Sequence, residues 1–199
     1  MFLNNRLIAK EDALVGREES VKISGIHFVN GNSIIPPFAS ELEYGYFGMG
    51  CFWGAERLFW KLDGVVATAV GYQGGHTKNP TYYEVCSGET AHTESVFVLY
   101  DPKKITYYEL LKVFWDNHDS TQGMRQGNDR GTQYRSAIFC SNEKQLKLAI
   151  DHKSASTEVD LNTEFYYAEE NHQQYLAKHP EGYCTIGGMG FCLPEKKEE

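Results

Sequence analysis

Residues 43–72 read EYGYFGMG-CFWGAERLFW-KLDGVVATAVGY, and the fold turns on how this stretch divides. Tyr44, Tyr46 and the glycines around them read as a short strand ending at Gly50. Phe52, Ala55, Phe59 and Leu62 then recur at helical spacing, and Asp63-Gly64 is a stop signal. Val65 to Tyr72 is rich in β-branched residues and is predicted to be a buried strand. One thiol, Cys51, therefore sits where a strand gives way to a helix, between Gly50 and the aromatic pair Phe52-Trp53. A thiol there faces unpaired backbone N–H groups and the positive end of the helix dipole, and both favour the thiolate. The two rings beside it are expected to be exposed and to suit a small apolar group on a substrate.

Working outward, residues 1–40 show little periodicity and contain Pro36-Pro37, so they read as an extended wrapping segment. Residues 41–199 read as a single catalytic domain ending in a glycine-rich coil from about residue 180. A Gly/Asn/Pro-rich loop, Gln73 to Pro80, leads to Tyr82, and Thr93 to Tyr100 is a predicted strand closed by Asp101-Pro102. Thr106 and Glu109 form a capping box for a helix through Trp115 and His118. A polar loop, Gln122 to Gln133, precedes a strand over Tyr134 to Cys140. The helix predicted next, Asn142 to Lys153, carries Leu146 and Ile150 on one face, and a shorter one is predicted over Glu169 to Lys178. Strands alternating with helices predict an α/β (α+β) sandwich, with a mixed sheet flanked by helices and built from ferredoxin-like βαβ elements.

The charge balance is acidic, −8 over 199 residues, with no basic stripe, which argues against nucleic acid or an anionic membrane as partner. Met1-Phe2-Leu3 is followed at once by Asn4, Asn5 and Arg6, so the uninterrupted apolar run of about 7–15 residues in a secretory signal is missing. No window approaches the roughly 18 apolar residues of a membrane span. The chain reads as a cytoplasmic monomer. Its five cysteines, Cys51, Cys86, Cys140, Cys184 and Cys192, are then expected to rest as thiols, with any disulfide transient and catalytic. No cofactor and no metal is called for.

Three features carry chemistry. Cys51 is either a nucleophile or an inert core cysteine, and its glycine neighbours and strand-to-helix position favour the nucleophile. Glu94 opens a strand beside Val96 and Val98, where an inward-facing carboxylate would be buried, raised in pKa and able to donate a proton. Cys184 and Cys192 lie in a run with Gly182, Gly187, Gly188 and Gly190, which predicts a mobile coil suited to attack on an oxidised sulfur. Two other readings stay open. An acyl-transfer hydrolase would pair Cys51 with His92 as base, but leaves the dithiol tail without a purpose. A structural zinc module would use Cys184, Cys192, His172 and His179, but lacks the tight cysteine pair usual for such sites.

An ordered series of motifs bears on the choice. After Gly50 to Glu56 come Gly71-Tyr72-Gln73-Gly74-Gly75, Asn79-Pro80-Thr81-Tyr82, Val85-Cys86-Ser87-Gly88 and His92-Thr93-Glu94. Phe114 to Asp119, Gln126 to Asp129, Gly131 to Ser136, Ala168 to Leu176 and Gly182-Tyr183-Cys184 follow. Over about residues 40 to 193 the chain resembles the type-A peptide methionine sulfoxide reductases. The resemblance implies reduction of the S epimer of methionine sulfoxide, free or in proteins, as repair of oxidative damage. It implies that Cys51 attacks sulfur, that Glu94 protonates or polarises the oxygen, and that Tyr82 and Tyr134 hydrogen-bond it. Asp129 would support the site, and Phe52 and Trp53 would line the pocket for the methyl group on sulfur. Cys51 would be left as a sulfenic acid, resolved by Cys184, and the disulfide would pass to Cys184–Cys192 for reduction by thioredoxin. His118 and His172 would be structural hydrogen-bonders; Cys140, at a strand end, reads as a small buried hydrophobe, and no role for Cys86 can be derived from the sequence. Between Ser136 and Phe165 the chain is shorter than the family pattern, so part of a helix and the approach to a strand are expected to be missing.

Overall fold

The computed structural model describes residues 6–153, 156–161 and 163–184. In chain order they form β1 (Glu43–Met49), α1 (Phe52–Trp60), β2 (Val65–Gln73), α2 (Tyr82–Ser87), β3 (Thr93–Tyr100) and α3 (Tyr107–Asn117). Next come the two-residue strands β4 (Arg125–Gln126) and β5 (Asp129–Arg130), a 3-10 turn over Thr132–Tyr134, and β6 (Ser136–Cys140). The chain continues with α4 (Glu143–Asp151), β7 (Glu158–Leu161), β8 (Tyr166–Tyr167) and α5 (Tyr175–Lys178). No helix among the described residues is long and apolar enough to cross a membrane.

Six strands make one mixed sheet in the order β7-β6-β1-β3-β2-β8, with every pairing antiparallel except β6 with β7. The four inner strands with α1 and α3 reproduce the ferredoxin-like β-α-β-β-α-β path. Strand alternation sorts the sheet into two faces. Val96, Val98 and Tyr100 of β3 and Val70 and Tyr72 of β2 meet Ala55 and Phe59 of α1 and Leu110 and Phe114 of α3. Phe97, Leu99, Ala67 and Ala69 face the other way and are covered by Ile23, Ile34, Phe38 and Leu42 of the N-terminal strap, with Phe165 and Tyr167. Helices thus cover one face and an extended strap the other. Glu94 has the parity of Val96 and Val98, so its carboxylate points toward the helical face.

The sequence reading departs from this structure at several places. Residues 82–87 form a helix that was not predicted, opened by a capping box in which Thr81 and Glu84 bond each other's backbone. The helix predicted over Glu169 to Lys178 is helical only from Tyr175, because Gln174 takes the left-handed conformation at φ 46°. Ile150 does not share the inward face of α4. It is 53% exposed, and Gln145 and Ala149 point inward instead. Strand β6 begins at Ser136, leaving Tyr134 in the 3-10 turn. Across residues 136–165 the chain completes a parallel crossover, with Ala137–Cys140 in register against Glu158–Leu161.

Candidate active site

The turn between β1 and α1 admits only glycine at residue 50. Gly50 has φ +88°, and a Cβ there would lie 2.5 Å from the Gln126 side chain. The turn delivers Cys51 to the N-cap of α1 as a free thiol, 6% exposed. Strand register then brings the acid to the same point. Glu94 lies opposite Tyr72, on the helical face, and its Oε2 accepts the backbone N–H of Phe52 at 2.9 Å. The carboxylate and the thiol therefore share one helix terminus.

Their electrostatics are coupled. Glu94 is 2% exposed, and burial pushes its pKa up to about 8. The Phe52 N–H pulls the other way and the Asp129 carboxylate adds to the rise. At neutral pH the group is predominantly a neutral acid. The Cys51 thiol is also pushed up, first by burial and then by the Glu94 charge, against the smaller opposing pull of the Trp53 and Gly54 N–H groups. No capping hydrogen bond of normal geometry reaches the sulfur. The helix end thus favours the thiolate as expected, through the Trp53 and Gly54 N–H groups, but burial outweighs that pull.

Three other predicted residues stand around this pair. Tyr82 is the first residue of α2, and its N–H is held by Glu169 Oε1 at 2.9 Å. Burial raises its phenol, and Cys86, Glu94 and Cys51 raise it further. Tyr134 is raised by burial and then by Glu94, Cys86, Tyr82 and Asp129. Both phenols keep their protons near neutral pH and so remain available as hydrogen-bond donors. Asp129, on β5, accepts the Tyr183 hydroxyl at 3.0 Å, which ties the chain just before Cys184 to the site.

The aromatic pair is less open than expected. Phe52 is 1% exposed, its ring packed among those of Trp53, Tyr72 and His172, so the expectation of two exposed rings fails for this one. Burying that ring is what seats α1 on the sheet. Trp53 is half-buried, stacked on Tyr175 at 4.0 Å between centroids, and its Nε1–H donates to His172 Nδ1 at 3.1 Å. Cys184 packs on the edge of the helical-face core, and its sulfur accepts from Arg57 Nη2 at 3.9 Å. Cys184 is disulfide-bonded, whereas Cys51, Cys86 and Cys140 are free thiols. Cys192 lies outside the described residues.

Several residues that hold the site escaped the sequence reading. Glu169 accepts from both the Tyr82 N–H and the Tyr72 hydroxyl (3.0 Å). Glu56, fully buried on α1, accepts from Thr68 Oγ1 and from both the backbone and side-chain amide of Gln174. Cys86 lies one helical turn after Tyr82, with its thiol pushed up to about 11 by burial. The hint was the polar run Glu169 to Gln174, too hydrophilic to be buried without partners. His92 is not a base for Cys51. Its Nε2 lies 2.7 Å from the Thr77 carbonyl and its Nδ1 accepts the Gly75 N–H. The hydrolase reading loses its general base.

A thiol, a neutral carboxylic acid and two phenols around one dry point can take an oxygen from sulfur. Comparison with known proteins points the same way. The family model described as peptide methionine sulfoxide reductase matches residues 43–189. The peptide methionine sulfoxide reductase MsrA of Pseudomonas savastanoi pv. phaseolicola is 55% identical, covering 96% of this chain and 94% of its own. That of Vibrio vulnificus is 52% identical over 97% and 99%. Among solved structures, methionine sulfoxide reductase A of Corynebacterium diphtheriae superposes with a TM-score of 0.81 at 43% identity, over 96% of this chain and all of that one. The chain belongs to the type-A peptide methionine sulfoxide reductases, enzymes that return methionine sulfoxide to methionine.

Proposed function

We propose that the protein reduces the S epimer of methionine sulfoxide, free or in proteins, with Cys51 as nucleophile and Glu94 as acid. The observation that carries this reading is the neutral Glu94 carboxyl, bonded to the Phe52 N–H immediately after the thiol. Cys51 Sγ attacks the sulfoxide sulfur while Glu94 gives its proton to the oxygen, and the thiol proton restores the acid. The S–O bond to methionine breaks and one to Cys51 forms. Cys–SH and the sulfoxide become Cys–SOH and methionine, with two electrons passing to the methionine sulfur. Tyr82 and Tyr134 hydrogen-bond the departing oxygen, Asp129 supports them, and Trp53 over the buried Phe52 accepts the methyl group.

The Cys184 thiol then attacks the sulfenic acid, forming a disulfide with Cys51 and releasing water. Cys192 displaces Cys51 from it, and a dithiol of the thioredoxin type reduces the resulting Cys184–Cys192 bond. A free Cys51 and a disulfide-bonded Cys184 are consistent with this relay. We read residues 41–199 as one catalytic domain acting as a monomer in the cytoplasm, where thiols are kept reduced.

Single-turnover reaction of the fully reduced protein with each separated epimer, thiols counted before and after, tests the proposal. The expected result is loss of two thiols with the S epimer only, and none in Cys51→Ser. Consumption of the R epimer, or methionine formation by Cys51→Ser, would overturn it.

A further inference from the structure

The N-terminal strap has a contact that its covering role does not need. Residues 14–18 run against the loop that leads into α2, and the two are bonded in both directions. Thr77 Oγ1 donates to the Leu14 carbonyl at 2.7 Å, and the Arg17 N–H donates to the Lys78 carbonyl at 3.0 Å. Asn79 Nδ2 donates to the carbonyls of Arg17 (2.9 Å) and Glu18 (3.1 Å). The approach is so close that a Cβ on Gly16, at φ +80°, would fall 2.0 Å from the Lys78 oxygen.

The Arg17 guanidinium is the centre of this contact. Its Nη1 donates to the Asn79 carbonyl at 2.6 Å and to Glu84 Oε2 at 2.9 Å, and its Nη2 donates to Glu84 Oε1 at 2.6 Å. Asn79 stands in the left-handed region at φ 45°, a conformation that needs support from its surroundings. Glu84 also closes the capping box, accepting the Thr81 N–H at 2.8 Å. Tyr82 lies between these two anchors, on a helix of six residues that is too short to form without tertiary bonds.

We propose that Arg17 is a positioning residue for the reaction: by clamping Asn79 and Glu84 on either side of Tyr82, it fixes the start of α2 so that the phenol meets the sulfoxide oxygen. This rests on the reading of Tyr82 as a donor to that oxygen. Arg17 lies outside residues 43–189 matched by the family model, so that match assigns the strap no part in the chemistry. The guanidinium also feels, more weakly than Glu84, the charge of Glu169, the acceptor of the Tyr82 N–H.

Two phenols on one oxygen partly replace each other, so the test sets Arg17→Met in two backgrounds and reads single-turnover sulfoxide reduction. With Tyr134→Phe, where Tyr82 is the remaining phenol, Arg17→Met is expected to slow the step about tenfold. With Tyr82→Phe, where there is no phenol left to position, the loss is expected to be about twofold or less. Equal losses in both backgrounds would mean that the strap supports the fold alone, and would overturn the proposal. No loss beside Tyr134→Phe, when Tyr82→Phe is harmful there, would overturn the clamp and leave the phenol reading standing. If Tyr82→Phe is harmless beside Tyr134→Phe, the phenol reading itself falls, a result seen without touching Arg17. Arg17→Lys keeps the charge but not the fork, and is expected to repeat the pattern at smaller size should Arg17→Met not fold.

Discussion

Glu94→Gln separates the acid from its shape. The amide oxygen can still accept the Phe52 N–H at 2.9 Å, but no transferable proton is left. With a carboxyl pKa of about 8, roughly nine-tenths of wild-type molecules hold the proton at pH 7 and about one-tenth at pH 9. Ionising Glu94 also places a negative charge beside Cys51 and opposes the thiolate, so the acid and the nucleophile fail together. Wild-type single-turnover reduction, followed by rapid quench with methionine quantified, is therefore expected to fall about tenfold between pH 7 and pH 9. A general acid contributes about 100-fold or more, so the variant should be about 100-fold slower at pH 7, without the falling limb near 8. Stability gives a second reading. The folded carboxyl keeps its proton up to about 8, against 4.5 ordinarily, so the folded state binds the extra proton in that window. Wild type loses stability as pH rises from 4.5 to 8, and the variant is spared this loss, so the Tm difference should move in favour of Glu94→Gln across the window. A falling limb near pH 8 that survives in Glu94→Gln would refute the reasoning, because the titrating group would then be another one.

Two further predictions concern the supports of the site. Glu56→Ala leaves the Gln174 amides and the Thr68 hydroxyl without their acceptor in the interior, and should cost about 3 kcal/mol in urea unfolding. A loss under about 1 kcal/mol would mean that water replaces the carboxylate without cost. Gly50→Ala forces a Cβ to 2.5 Å from Gln126 in a left-handed backbone, and should displace Cys51 as well as destabilise the fold by about 1–3 kcal/mol. Thiol alkylation kinetics and Tm together check it, and wild-type values of both would contradict the geometry.

The sequence made the strand–helix–strand core legible because its hydrophobic period changes at two glycines, Gly50 and Gly64. Helix α2 went unread because six residues hold less than two turns of periodicity, although Thr81 and Glu84 carried its capping box. Over 169–174 the pattern misleads in the opposite direction. There Glu169, Gln173 and Gln174 use their side chains to satisfy backbone groups elsewhere, so the segment is fixed without being helical. Within the site, Cys51 and Glu94 stood out because each violates its surroundings: a thiol among glycines and a carboxylate in an apolar strand. Arg17, Glu56 and Glu169 act through partners more than 60 residues away or through a backbone N–H, and no local pattern announces such bonds.

The opposing pulls on Cys51 show how the parts of the site depend on one another. A helix terminus offers a few unpaired N–H groups, and here the first of them, on Phe52, is bonded to Glu94 rather than aimed at the sulfur. The remaining pull from Trp53 and Gly54 is smaller than the penalty of burial. Dehydration holds Glu94 neutral by the same means that it holds Cys51 protonated, so a drier site gives a better acid and a poorer resting nucleophile. In the proposed reaction the conflict resolves when the sulfoxide arrives. Proton transfer from Glu94 to the oxygen leaves a carboxylate within the site, and that carboxylate is the base to which the thiol proton can go. On that reading the site has no need of a resting thiolate. It needs one acid–base group whose neutral form predominates until substrate binds, placed on the same helix end as the sulfur.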